Sequence, residues 1–418
     1  MRLERGEPPA EFSAAMRRAG LEIGVNLGTD ASYVGRIESG RIRCPNYAIE
    51  RVLRRLLPGR ALEDLGFAVP ERRRRVSQPS KTTNEEEEAV NRRHFVAGST
   101  SVMLGGIAPP ATAGAAGATI GQREVRQVRD AVTRIRTADD RRGSATDLCS
   151  AATSSLRLAY QWLNECAFSE QTGKDLQSVA GELAISVGWL CHDAGRLADA
   201  RSYYAEAISG ARMADDSRLE AHVFCNMSYL ARDAVRPREA IRTAQVAQSV
   251  AADWATPRLR SLLALREAGG WAVLRDRPAC EKAIRSAHRY FEQGPQDEDP
   301  EWMTFFGAAE MAGLEGQCWT ALGDPRRAAA QSAQAVMLQA PEFVRNRALY
   351  EAQQALDNVA CEQFDMAASA GERVLVDLTQ VRSERVSQMV GNAVNALRPY
   401  EHVREVRVFV EHFDAVSA

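Results

Sequence analysis

The chain has 418 residues, 45% hydrophobic and 26% charged, with a formal net charge of -2. This is globular composition, enough for a large core or two to three domains, and it excludes a disordered or fibrous protein. Charge is uneven along it: residues 1–75 carry 15 arginines against 10 acidic residues, a balance of +5 that leaves -7 for the remainder. Such a segment suits an anionic partner. Lysine occurs only at positions 81, 174 and 282. That reads first as a genomic composition bias, although arginine also suits phosphate and guanine recognition.

Short helices with tight turns are predicted first. "PAEFSAAMRRAG" places Phe12, Ala15, Met16 and Ala19 on one helical face, with Pro8-Pro9 as a start signal and Gly20 as a stop. A shorter helix, "LEIGVNLG", ends in Leu27-Gly28. Thr29 or Asp30 then caps "ASYVGRIES", in which Val34 and Ile37 face inward, Ser32, Tyr33 and Arg36 share the outer side, and Gly40 ends the helix. After "GRIRCPNY", the helix "YAIERVLRRLL" offers Ile49, Val52, Leu53, Leu56 and Leu57 to a core.

Four helices in under 60 residues make a compact bundle. Their order, with a glycine-containing turn before a helix that displays small and basic residues, is that of a helix-turn-helix, whose second helix enters the DNA major groove. Arg36 can pair with guanine edges and Ser32 can reach a base or phosphate. Arg41, Arg43 and Tyr47 would sit at the DNA backbone, and Asp30 and Tyr33 complete the predicted DNA-binding set. The plainer reading of the same residues is a solvated basic face on a helical bundle. "SYVGRIESGRIRCPN" resembles the recognition-helix end and following loop of the phage-repressor-like helix-turn-helix family. The preceding helix departs from that family in being short and in carrying Gly24, which costs about 1 kcal/mol against alanine.

Residues 71–121 read as a linker. They hold a basic run, a polar tract with four consecutive glutamates, and an Ala/Gly/Pro-rich stretch. Within them, "NRRHFVAGSTSVMLGGIAPP" resembles a twin-arginine export signal. It follows some ninety residues instead of opening the chain, and its apolar run is shorter than the roughly 20 residues a bilayer requires. A linker or a packed helix is the expectation, in a cytoplasmic protein.

From Gln122 to the C-terminus, apolar residues recur at helical spacing and no segment alternates with period two, so an all-α domain is predicted over 122–418, after a helix-turn-helix domain over 1–70. Five segments share a pattern of small residues three and four apart: Ala200/Tyr204/Ala207, Ala240/Ala244/Ala247, Ala283/Ala287/Tyr290, Ala329/Ala333/Val336 and Ala367/Gly371/Val374. Turn signals precede four of them, at "DAGR", "DAVRP", "RDRP" and "LGDP". A helical hairpin of this kind cannot bury both faces alone, so copies stack. These copies resemble tetratricopeptide repeats with a period longer than the usual 34 residues.

Eight cysteines and six histidines are scattered, with no zinc-type spacing, no phosphate-cradling glycine loop followed by Lys-Ser/Thr and no nucleophile motif. No cofactor or metal is expected and catalysis is disfavoured. "DEDPEW" at Asp297 lacks calcium-loop spacing and reads as a connection between repeats. Trp189, His192, Tyr229, Trp271 and Trp302 are the candidates for lining an effector groove, against the common alternative that aromatics at helical spacing are core.

Over nearly its whole length the chain resembles a group of actinobacterial transcriptional regulators that join these two modules. The collinear stretches that carry the resemblance include "RRHFVAGS", "DDRRGS", "ATPRLRSLLALREA" and "SERVSQMVGNAVNALRP". It implies double-stranded DNA as partner and a role in development or secondary metabolism. A homodimer would double the DNA footprint, and a peptide or small molecule would be sensed in the repeat groove. The alternative is a repeat scaffold that recruits a protein partner without specific DNA binding.

Overall fold

The computed structural model describes residues 8–22, 29, 31–39, 47–57, 119–144 and 146–417. They fall into two units, one within residues 1–89 and one within 90–418. Linker residues 71–118, with the paired arginines, and Asp30, Arg41 and Arg43 lie outside the described residues, whereas Ile120, at the end of the predicted linker, is buried in the core of the second unit.

In the first unit, α1 (Pro9–Glu22) packs against α2 (Ala31–Glu38) and α3 (Tyr47–Leu56). Phe12, Met16 and Ala19 meet Val34, Ile37, Ile49, Val52 and Leu53 in one buried cluster, the core the apolar spacing predicts. Two expectations are corrected. Gly20 does not stop α1, which continues to Glu22; glycine weakens a helix without by itself breaking it. Tyr33 is not on the outer side but buried in the core, because it stands four residues, about one turn, before Ile37. The rest of the predicted second helix, residues 23–28, lies outside the described residues.

The entry to α2 is fixed from α1. The Ser13 hydroxyl donates to the Thr29 carbonyl at 2.9 Å. Arg17 donates to the same carbonyl and, at 2.8 Å, to Ser13 Oγ. The Thr29 hydroxyl is buried and has no hydrogen-bond partner, so it does not cap α2.

The second unit is a stack of helical hairpins, and among its described residues there is no strand. Its helices are α4 (Gln122–Arg142) and α5 (Thr146–Glu165), α6 (Glu170–Asp193) and α7 (Leu197–Ala214), α8 (Ser217–Asp233) and α9 (Pro237–Val250). They continue with α10 (Pro257–Val273) and α11 (Arg277–Phe291), α12 (Ala308–Leu322) and α13 (Pro325–Leu338), α14 (Val344–Ala360) and α15 (Phe364–Asp377), and α16 (Glu384–Leu397) and α17 (Arg404–Ser417). No helix among the described residues is long and apolar enough to cross a membrane.

Five hairpins, from α6/α7 to α14/α15, turn in one way. A left-handed residue joins the helices: Gly195, Val235, Arg275, Gly323 or Glu362, with φ of 73°, 56°, 66°, 73° and 60°. The next N–H closes back on the carbonyl five residues earlier, as in Arg196→Cys191 at 2.8 Å, Asp276→Trp271 at 3.0 Å and Gln363→Asn358 at 2.9 Å. The fourth residue of the second helix is then Ala200, Ala240, Cys280, Ala328 or Ala367, each fully buried. That register confirms the first, second and fifth predicted copies. It corrects the third to Cys280/Ile284/Ala287 and the fourth to Ala328/Ser332/Ala335, because the turn sets the phase and alanine-rich helices offer several matching phases. The second helices start 40, 40, 48 and 39 residues apart. The long interval holds a 3-10 helix, Glu301–Phe305, reached through the "DEDP" connection.

Small residues set how closely the paired helices approach. A Cβ on Gly188 of α6 would lie 2.6 Å from the buried Tyr204 ring of α7, so Gly188→Ala is expected to destabilise the unit by about 1–3 kcal/mol, read as a lower denaturant midpoint at unchanged slope. Val235 has its side chain largely in solvent and holds a left-handed conformation that costs a β-branched residue about 1–2 kcal/mol. Val235→Gly loses some of that gain to unfolded-chain entropy. It is expected to stabilise by about 1 kcal/mol, with a midpoint rise of roughly 2 °C in thermal unfolding.

Candidate functional site

The hairpin stack curves until its last members meet its first. The Arg382 N–H donates to the Arg142 carbonyl at 2.8 Å, and Ser383 Oγ donates to Asp193 Oδ1 at 2.9 Å. Between them, Arg345 of α14 pairs with Asp139 of α4 at 2.8 Å, both side chains buried. Asp139 also accepts from Trp189 Nε1 at 2.9 Å. Burial raises the pKa of Asp139, aided by the charge of Asp193 and opposed by Arg345.

This closure surrounds a cavity of about 110 Å³. Its walls come mainly from the first helix of successive hairpins: Asp139 and Asp140 on α4, Trp189 on α6, Tyr229 on α8, Arg266 on α10, Arg345 on α14. The 3-10 helix adds Trp302 and Phe305. Its inner space is on the scale of the roughly 150 Å³ that holds benzene in an engineered core. The cavity lies on the inner face of the stack, where the sequence places the groove for a peptide or small-molecule effector, and it is partly open to solvent.

Aromatic rings and guanidinium groups alternate around it. Trp189 stacks on Tyr229 at 6.0 Å between centroids, and His222 stacks on Trp302 at 3.8 Å. His222 Nδ1 lies 3.1 Å from Glu182, which also pairs with Arg136. Arg232 and Arg266 each stand 4.1 Å from the Tyr229 ring centroid. Arg385 Nη1 donates to the Tyr229 hydroxyl at 3.2 Å and lies 3.5 Å from Asp233. Burial pushes the Tyr229 phenol up, but Arg385 and Arg232, with help from Arg266, outweigh it and hold its pKa below the ordinary value. His192 meets Asp233 at 2.9 Å, and burial lowers its pKa, leaving a neutral ring at pH 7.

Three of the five predicted groove residues, Trp189, Tyr229 and Trp302, line the cavity. His192 stands behind them, edge-on to Trp189 and Tyr229. Trp271 does not join them: it donates to Glu267 at 3.1 Å and packs in a separate cluster with Ala268, Cys280 and Trp319. The charged residues were missed, although Asp139 and Asp140 stand in "DDRRGS", Arg266 in "LLALREA" and Arg385 in "SERVSQMV". A lone charge within an apolar helical stripe was the available signal.

Of the predicted DNA-binding residues, Ser32 and Arg36 are exposed on α2, as are Ala31 and Gly35, and the Arg36 guanidinium lies 5.4 Å from the Tyr33 ring centroid. Tyr47 opens α3. Short side chains and one arginine therefore share the solvent side of a helix whose other side is core.

No family model and no curated protein matches this chain. Among solved structures, a chain in the crystal structure of a Rap protein complexed with competence and sporulation factor is similar at 10% identity and a TM-score of 0.43, over 71% of this chain and 98% of that one.

Asp140 lines the cavity with its pKa raised to about 7, first by burial and then by Asp139, against Arg345 and Arg136. The folded state therefore binds more protons than the unfolded one between the ordinary carboxylate value, about 4, and pH 7, and stability falls across that window. Asp140→Asn is expected to raise the thermal midpoint little at pH 4 and increasingly up to pH 7, with a plateau above; paired melts of wild type and variant check this.

Proposed function

We propose that this protein is a DNA-binding transcriptional regulator whose hairpin-repeat unit responds to an effector. The observation that carries the reading is the face of α2. Ser32, Gly35 and Arg36 are presented together by a helix that Tyr33, Val34 and Ile37 anchor in the bundle core. A rigidly seated helix with short side chains can approach base edges closely, and one arginine there can read guanine. The inner cavity supports the sensing role, because a ligand that binds inside the closed stack stabilises closure over opening. Dimerisation would supply the second half-site that specific recognition by so small a module calls for.

A protein-recruiting scaffold is the second reading. It is favoured by an open groove of about 420 Å³ between α5 and α7, where Leu156, Tyr160, Tyr203 and Met213 give an apolar floor.

Selection from fragmented genomic DNA at about 150 mM salt, near physiological ionic strength, separates the two. Wild type is expected to enrich a few sites with a repeated half-site and Arg36→Ala to lose them, with about 1–3 kcal/mol of discrimination gone at the contacted base. Enrichment of no discrete sites by either protein would leave the scaffold reading.

A further inference from the structure

We propose that the inner cavity binds a small monocarboxylate, held through an ion pair with Arg266. The inference rests on reading the cavity as the effector site and names the chemistry of the effector.

Arg266 is 5% exposed and lines the cavity. Its Nε and Nη1 are buried and make no hydrogen bond to the protein. The other arginines that line the cavity are paired, Arg136 with Glu182, Arg345 with Asp139, and Arg385 with Asp193 and Asp233, as is the nearby Arg232 with Asp233. Among the described residues no carboxylate lies within 4 Å of Arg266; the Tyr229 ring face, 4.1 Å away, is its close electron-rich neighbour. A ring face compensates a desolvated guanidinium only in part, by about 2 kcal/mol, where burying an unpaired ion costs several. The fork of a guanidinium matches a carboxylate in two parallel hydrogen bonds.

The uncharged part of the wall fixes the rest of the molecule. Ile185, Leu349 and Phe305 are apolar, and Asn346 is buried with Oδ1 unpartnered by the protein. A volume of about 110 Å³ admits a carboxylate with a short hydrocarbon body, about six heavy atoms in all, on the scale of benzene in 150 Å³. The other guanidinium groups of the wall, Arg136, Arg345 and Arg385, are already paired, and Asp139, Asp140 and Glu310 line the same cavity, so a second negative charge on the ligand would be repelled, which selects a monoanion.

The test titrates the full chain with butyrate, and in parallel with butyramide, its neutral counterpart, and with inorganic phosphate. Tryptophan fluorescence is one readout, because Trp189 and Trp302 line the cavity, and the thermal midpoint is the other. Butyrate is expected to change both saturably, while butyramide and phosphate at the same concentrations change neither. Arg266→Met is expected to weaken butyrate binding at least about tenfold, the loss of a charged hydrogen-bonded pair. It should melt no lower than wild type without ligand, since it removes a buried unpaired cation; a merely structural arginine would lower that midpoint. Arg266→Lys, which keeps the charge and loses the fork, is expected to bind with intermediate strength and serves if the methionine variant fails to fold. Equal responses to butyrate and butyramide, no response to butyrate, or unchanged affinity in the folded variants would overturn the inference. If butyrate fails while wild type still enriches Arg36-dependent DNA sites, the carboxylate assignment falls and the regulator reading stands.

Discussion

Asp139 and Arg345 stand 206 residues apart in the chain and 2.8 Å apart in the structure, and the form of the repeat unit depends on their meeting. Each is buried, so each is a liability alone: removing one partner of such a pair costs about 3–5 kcal/mol. Their meeting joins α4 to α14 and turns an open stack of hairpins into a closed one. The backbone bond from Arg382 to the Arg142 carbonyl and the bond from Ser383 to Asp193 hold the same junction. Without it the inner faces of the first helices would line a groove more open to solvent.

The hairpins themselves are held by a different device, repeated five times. A left-handed turn residue, a short-range backbone bond and a buried small side chain at the fourth position of the second helix lock each pair at one distance. Close approach of this kind is local and is satisfied by small residues alone, which is why alanine and glycine crowd these positions. Curvature is the sum of many such small steps. Closure therefore follows from the whole repeat series, with the insertion around Glu301–Phe305 placing Trp302 and Phe305 against the opening.

Inside, the polar groups are arranged in pairs around aromatic rings. Tyr229 draws three guanidiniums, from Arg232, Arg266 and Arg385, whose positive charge outweighs burial and holds its pKa below the ordinary value. Burial, with the charge of Asp139, raises the Asp140 pKa to about 7, so this wall of the cavity responds to mild changes of pH. A site with such internal tension responds to a ligand that relieves it, and closure links that response to the ends of the hairpin stack.

By itself the sequence determined the helices, the hairpin character of the second unit and the cores of both, because these are written in periodicities of three and four residues and in turn chemistry that is local. Phe12, Met16, Val34 and Ile37, and Ala200, Tyr204 and Ala207, could be assigned to cores from spacing alone. The phase of the third and fourth repeats could not, since alanine-rich helices satisfy several registers and only the turn selects one. Trp189, Tyr229 and Trp302 were legible as candidates for lining a groove, but their convergence was not, nor was the exclusion of Trp271. Only the tertiary structure decided those, together with the pairing of Asp139 with Arg345 and the isolation of Arg266. A charge's partner lies hundreds of residues away along the chain, and no local pattern records the curvature that brings it home.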